Sequence, residues 1–175
     1  SVTKRYGQTA VFNVVIRRIT DSGRLSGKTI SLTLDGDSIG QAATNSNGVA
    51  SFSYFVDEQL QAGVHDIEAS FAGDESYKTS SIDVFLSIDP ADTRLTLGSI
   101  IGAYGQSKIL TATLKRNTDG KPVSGRAINL SIDGNSIGTV TTDANGQVAT
   151  SYLFEEPLTA GTHSVTATFT GDDGY

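Results

Sequence analysis

The 175-residue sequence contains no cysteine. That removes disulfides, thiolate catalysis and cysteine-ligated zinc or iron centres together. Histidine occurs only twice, as His65 and His163. Three prolines against nineteen glycines suit a chain with frequent turns and argue against a disordered proline-rich linker. No segment sustains a 3.6-residue apolar period, no apolar run reaches the length of a membrane span, and no signal peptide is recognisable. Basic residues are in deficit: 13 Lys and Arg against 19 Asp and Glu leave a net charge of -6. An acidic surface argues against a nucleic-acid partner or an anionic membrane, and no direct membrane insertion is expected. Arg17-Arg18 and Lys115-Arg116 are the candidates for a local basic patch, and both read more simply as solvated strand ends.

What the chain does have is a repeat. Ala62 to Tyr77, AGVHDIEASFAGDESY, returns as AGTHSVTATFTGDDGY from Ala160 to Tyr175, an offset of 98 residues. The same offset aligns Tyr6-Gly7-Gln8 with Tyr104-Gly105-Gln106, so the register extends over nearly a whole copy and implies tandem domains. Within the block His65, Ile67, Ala69 and Phe71 share one parity and Asp66, Glu68 and Ser70 the other, the pattern of a strand with one buried face.

The same alternation recurs along both copies. Phe12, Val14 and Ile16 mark a strand within Thr9 to Arg18, with Val11 and Val15 on its second face, which predicts a central or covered strand. Ile30, Leu32 and Leu34 mark the next, followed by the turn Asp35-Gly36-Asp37 and a short strand over Ser38 to Thr44. After Asn45-Ser46-Asn47-Gly48 come Ala50, Phe52, Tyr54 and Val56, and a last strand spans Ser81 to Ile88. Asp89-Pro90-Ala91-Asp92 is the predicted junction, giving domains 1–90 and 91–175. The second copy opens with an edge strand over Arg94 to Gly98 and repeats the rest, but reaches Tyr175 without a counterpart of Ser81 to Ile88. A continuing repeat would place that final strand just past Tyr175. The prediction is all-β: two tandem β-sandwich domains, about seven antiparallel strands per complete unit, with a small barrel as the alternative.

Taken together, Tyr6-Gly7-Gln8, Asp35-Gly36, Asn47-Gly48, Ala62-Gly63-Val64-His65 and Gly73-Asp74-Glu75-Ser76-Tyr77, with their second appearances, resemble the bacterial immunoglobulin-like repeats of large surface and secreted proteins. The resemblance covers nearly the entire chain. It implies an immunoglobulin-like sandwich outside the cytoplasm or at the cell surface, serving as a non-enzymatic spacer or stalk that contributes to adhesion or presents a neighbouring domain. Its partners would be adjacent repeats of the same chain and, for an adhesive module, a cell-surface glycan or protein. The alternative is a carbohydrate- or protein-binding module accessory to a secreted carbohydrate-active enzyme.

No catalytic set is expected. His65 and His163 share the parity of apolar neighbours and read as half-buried, hydrogen-bonded histidines at a sheet rim. The glycines punctuate strands instead of opening a helix, so they form no phosphate loop. No organic cofactor is expected. Calcium is the one ion with a case, because hard cations want several oxygen donors. Its candidate ligands are Asp74 and Glu75, recurring as Asp172 and Asp173, with Asp89 and Asp92 at the junction; ordinary acidic turns are the competing reading, and no EF-hand spacing occurs.

Overall fold

The structure, a computed structural model, describes residues Ser1 to Tyr175 and contains thirteen strands and no helix. The chain divides into two compact units between Pro90 and Ala91.

Unit 1 has seven strands: β1 (Val2–Lys4), β2 (Thr9–Val15), β3 (Thr29–Leu34), β4 (Asp37–Ala43), β5 (Val49–Phe55), β6 (Gly63–Phe71) and β7 (Ser80–Ile88). They form one sheet in the order β1-β7-β6-β3-β4 and a two-stranded sheet β2-β5. Alternation places Ile30, Leu32, Leu34, Ile67, Ala69, Leu86 and Ile88 of the larger sheet, with Ala10, Phe12 and Ala50 of the smaller, in the core. Burying a Leu such as Leu32 contributes about 1.5–3 kcal/mol. All pairings are antiparallel except β1 with β7, which run parallel from Val2 opposite Leu86 to Lys4 opposite Ile88. Parity alone does not encode strand direction, so the sequence pattern could not reveal this exception.

Two further expectations are corrected. β2 stops at Val15, short of Arg18, and continues only as an isolated bridge between Arg17 and Arg24. Its second face is open, with Val11 52% and Val15 44% exposed.

Unit 2 has six strands: β8 (Thr93–Leu97), β9 (Ser107–Arg116), β10 (Ala127–Ile132), β11 (Asn135–Thr141), β12 (Gln147–Leu153) and β13 (Val165–Thr168). Its sheets are β11-β10-β13 and β12-β9-β8. β9 runs through to Arg116 because β8 pairs along its second half, from Leu97 opposite Ala112 to Thr93 opposite Arg116.

In both units the hairpin after β3 or β10 is a two-residue turn, Asp35-Gly36 or Asp133-Gly134. Both residues of each turn have positive φ, 50° and 89° in the first and 49° and 81° in the second. That geometry matches the twist of the flanking strands and favours Asp-Gly.

Candidate functional site

The turn aspartate and the histidine of the repeated block, 30 residues apart in each copy, meet. Asp35 sits at the β3–β4 turn, and its Oδ1 accepts from the Asp66 backbone N–H at 2.9 Å while its Oδ2 faces His65 Nδ1 at 2.7 Å. The other ring nitrogen, Nε2, lies 2.8 Å from the Gln61 carbonyl in the segment before β6. Unit 2 repeats every contact: Asp133 with His163 at 2.5 Å, with the Ser164 N–H at 2.9 Å, and His163 Nε2 with the Thr159 carbonyl at 2.7 Å.

Each imidazole thus has an oxygen acceptor at both nitrogens. Only the doubly protonated ring donates to both at once, so the clamp selects imidazolium. Burial alone would push His65 down, but the hydrogen bonds to Asp35 and Gln61, with the Asp35 charge, raise it above the ordinary value. For His163 the Asp133 hydrogen bond leads and the Thr159 carbonyl adds to it. Asp35 and Asp133 are lowered, first by the histidine and then by the backbone N–H. A ring committed in this way has no lone pair with which to ligate a metal or take a proton from a nucleophile.

The signs fix a pH window. A raised histidine stabilises the fold fully below its unfolded value, about 6.5, and that contribution fades as pH rises through the raised folded value. A lowered carboxylate stabilises above its unfolded value, about 3.9, and loses that as pH falls. The clamp therefore contributes most between about pH 4 and 6.5. The melting temperature of the wild type is expected to decline from pH 6 toward pH 8 more steeply than that of a His65→Gln, His163→Gln double variant; parallel profiles would refute the clamp.

A second repeated contact occupies the acidic turn. Lys28 Nζ lies 2.5 Å from Asp74 Oδ2 and over the Tyr77 ring, 4.7 Å from its centroid. In unit 2 Arg126 takes the same place, 2.6 Å from Asp172 Oδ2 and 5.3 Å from the Tyr175 ring centroid. The Asp74 Oδ1 accepts from the Ser76 and Tyr77 N–H groups, both at 2.9 Å, an Asx turn that fixes the Gly-Asp-x-x-Tyr block. Lys28, then the Ser76 amide, lowers the Asp74 carboxyl.

These contacts place the calcium candidates. Asp74 and Asp172 are engaged by a cation, Glu75 and Asp173 are exposed beside them, the Asp89 N–H donates to the Lys4 carbonyl and the Asp92 carbonyl accepts from Asn117. No three His, Asp or Glu side chains converge on a point where they could hold an ion. Millimolar Ca²⁺ is accordingly expected to move the melting temperature by less than about 2 °C, since a weak site near its Kd stabilises by only a few tenths of a kcal/mol. A larger rise would show the carboxylates regrouping around the ion.

In each candidate basic pair the arginine at the second position is engaged. Arg116 is 1% exposed and binds Asp119 through two hydrogen bonds, and Arg18 pairs with Asp21 at 2.9 Å. Tyr54 and Tyr152 are half-buried on the inward face of β5 and β12, as their parity predicts for structural tyrosines.

The same clamps, turns and core positions recur at a constant offset in two all-β units. A family model for the bacterial Ig-like domain (group 3) matches residues 1–88 and again 95–175. The chain belongs to the bacterial Ig-like domain family. No curated protein matches it in sequence. Among solved structures, these Ig-like repeats are similar to a tetra-tandem repeat in the extending region of a large adhesion protein. That match has 19% identity and a TM-score of 0.50, over 95% of this chain and 47% of the other. The D0–D1 domain of intimin is similar at 20% identity with a TM-score of 0.36, over 97% of this chain and 87% of that one. A β-glucuronidase of Parabacteroides merdae is more distant, at 13% identity and a TM-score of 0.34, over 97% of this chain and 23% of the enzyme. The likeness to the adhesion-protein repeat is one of fold, and the Ig-like pair spans about half of its length. No helix is long and apolar enough to cross a membrane.

Proposed function

We propose that the two Ig-like repeats act as a non-enzymatic spacer in the extracellular part of a surface adhesion protein, holding a neighbouring domain away from its anchor. The observation that carries this reading is the parallel pairing of β1 with β7. In that pair the two strands lie side by side and run the same way. Tension between those strands loads their hydrogen bonds together, in shear, whereas an antiparallel terminal pair would unzip bond by bond. The repeated polar contacts agree with it, since both histidines and the leading acidic candidates are committed to holding turns. The fold likeness to repeats from an extending region of an adhesion protein points the same way.

Single-molecule pulling on the chain tests the proposal. Unit 1 is expected to yield as one cooperative step that lengthens the chain by on the order of 280 Å, from about 88 residues at roughly 3.5 Å each less the folded length. Gradual extension at low force would overturn the spacer reading. So would saturable binding to a glycan array or to cells by the isolated pair, which would establish a direct binding module instead.

A further inference from the structure

The outward face of one sheet in unit 2 carries two cations side by side. Arg94 on β8 and Lys115 on β9 are directly opposite one another in the antiparallel register, and both are exposed. The next outward row is Thr96, Thr113 and Gln147, again opposite one another across β8, β9 and β12. The groove of about 660 Å³ that these residues line has no acidic residue in its walls. Asp143, in the turn beside it, is turned to the Asn145 and Gln147 N–H groups, both at 2.8 Å. Like charges at opposite positions on a sheet repel, and nothing lining the groove offsets that repulsion.

Unit 1 carries the same arrangement with the sign reversed. Glu68 on β6 lies opposite Asp83 on β7, and Asp66, the next outward residue along β6, lies opposite Phe85. The outward neighbours on the flanking strands are uncharged, Thr33 opposite Glu68 and Thr3 opposite Ser87. Phe85 and Val64 on this face are 53% and 69% exposed. At the 98-residue offset Asp66 and Glu68 become Ser164 and Thr166, so the acids of β6 are not repeated in unit 2.

We propose that the Arg94–Lys115 groove docks a second copy of the chain through that copy's Glu68–Asp83 pair. Both pairs occupy directly opposite positions on adjacent strands, so their Cβ atoms share a spacing of about 5 Å and the charges can meet one to one. The contact relieves a like-charge repulsion on each side. Thr96, Thr113 and Gln147 offer hydroxyl and amide donors to Asp66, and Phe85 and Val64 add apolar area at the rim. The net charge of -6 keeps copies apart elsewhere, which confines association to the place where the signs oppose. Four exposed charges make a weak contact that salt screens. Because the two faces differ, the contact is heterologous, and copies join head to tail. The inference stands whether or not the chain is a spacer.

Sedimentation of the 175-residue protein up to about 1 mM, a range in which weak contacts show, tests the proposal. The average mass is expected to rise with concentration at about 20 mM salt, and the association constant to fall at least about ten-fold by about 300 mM. Glu68→Lys with Asp83→Lys is expected to leave a monomer under the same conditions, and so is Arg94→Glu with Lys115→Glu. Mixing these two variants is expected to restore association, because both charged faces of one then oppose both faces of the other; recovery also shows that each variant has folded. The proposal is overturned if the wild type stays monomeric at low salt, if either variant associates alone as the wild type does, or if the mixture does not associate. Binding of polyglutamate at Arg94 and Lys115 without self-association would overturn it in favour of a different acidic partner.

Discussion

Replacing Gly146 by Ala is expected to destabilise unit 2 by about 3 kcal/mol or more, enough to lower its melting by roughly 12–20 °C. Gly146 closes the turn before β12 with φ of 70°, a conformation that costs an L-residue about 1 kcal/mol or more. The larger cost is steric. A Cβ at this position would lie 2.3 Å from the Leu114 carbonyl oxygen, with Pro122 Cβ and the Val123 nitrogen both at 3.1 Å. The backbone cannot step aside, because the Leu114 N–H donates to the Gly146 carbonyl at 2.8 Å and the Leu114 carbonyl accepts from Val123 at 3.1 Å. Two other glycines separate conformation from contact. Gly48, the counterpart in unit 1, has φ of 67° but its nearest neighbours are at 3.0 Å, while Gly134 has φ of 81° and nothing within 4 Å. Thermal unfolding should therefore rank the alanine variants Gly134, Gly48, Gly146 in increasing damage. Equal losses at Gly134 and Gly146 would mean that the turn moves freely and that the close approach to β9 has no energetic weight.

The same turn shows what the sequence made legible. Asn47-Gly48 and Asn145-Gly146 announce a turn by composition, and the constant 98-residue offset places it in both copies. Strand parity likewise identified most of the inward faces, from Leu32 to Ile132, since a period of two admits only one buried side. What was not legible was pairing in space. Asp35-Gly36 and His65 read as two separate motifs, yet they form one clamp; the signal was the unchanged 30-residue gap between Asp and His in the second copy. Lys28 and Arg126 carried a similar signal, a cation retained at one offset while its identity changed, but nothing local pointed to Asp74 and Asp172 as their partners. Strand direction was hidden altogether, because β1 offers three residues and parallel and antiparallel neighbours leave the same alternation.

Arg116 is the residue whose surroundings depart most from its sequence reading, and removing its partner gives the second large expected effect. As half of a Lys-Arg pair it reads as a solvated strand end, yet it shares the parity of Leu110, Ala112 and Leu114 and is equally buried. β8 makes the difference: Thr93 pairs opposite Arg116 and extends the covered part of β9 to that point. Asp119 takes the Nε and Nη2 protons of the guanidinium at 2.8 and 2.7 Å, and this pairing, against the effect of burial, holds the Asp119 carboxyl down at about 2. Asp119→Ala would remove the two-point carboxylate partner of a buried cation, and is expected to cost unit 2 about 2–3 kcal/mol, below the full value for a buried pair because Asp119 is 23% exposed. Adding Arg116→Met should recover part of that loss, since an apolar chain of similar length needs no counter-charge. The unit 1 pair supplies the contrast: Arg18 and Asp21 are 45% and 52% exposed, so Asp21→Ala should change stability by less than about 0.5 kcal/mol. Acid titration checks the same contact independently. A carboxylate lowered by folding stabilises above its unfolded value of about 3.9 and loses that as pH falls through the folded one, so wild-type unit 2 should weaken between about pH 4 and 2. An Asp119→Asn variant should be less stable above that range and flatter across it. If the double variant is no more stable than Asp119→Ala alone, the buried guanidinium finds adequate partners without Asp119, and the charge-pairing account fails.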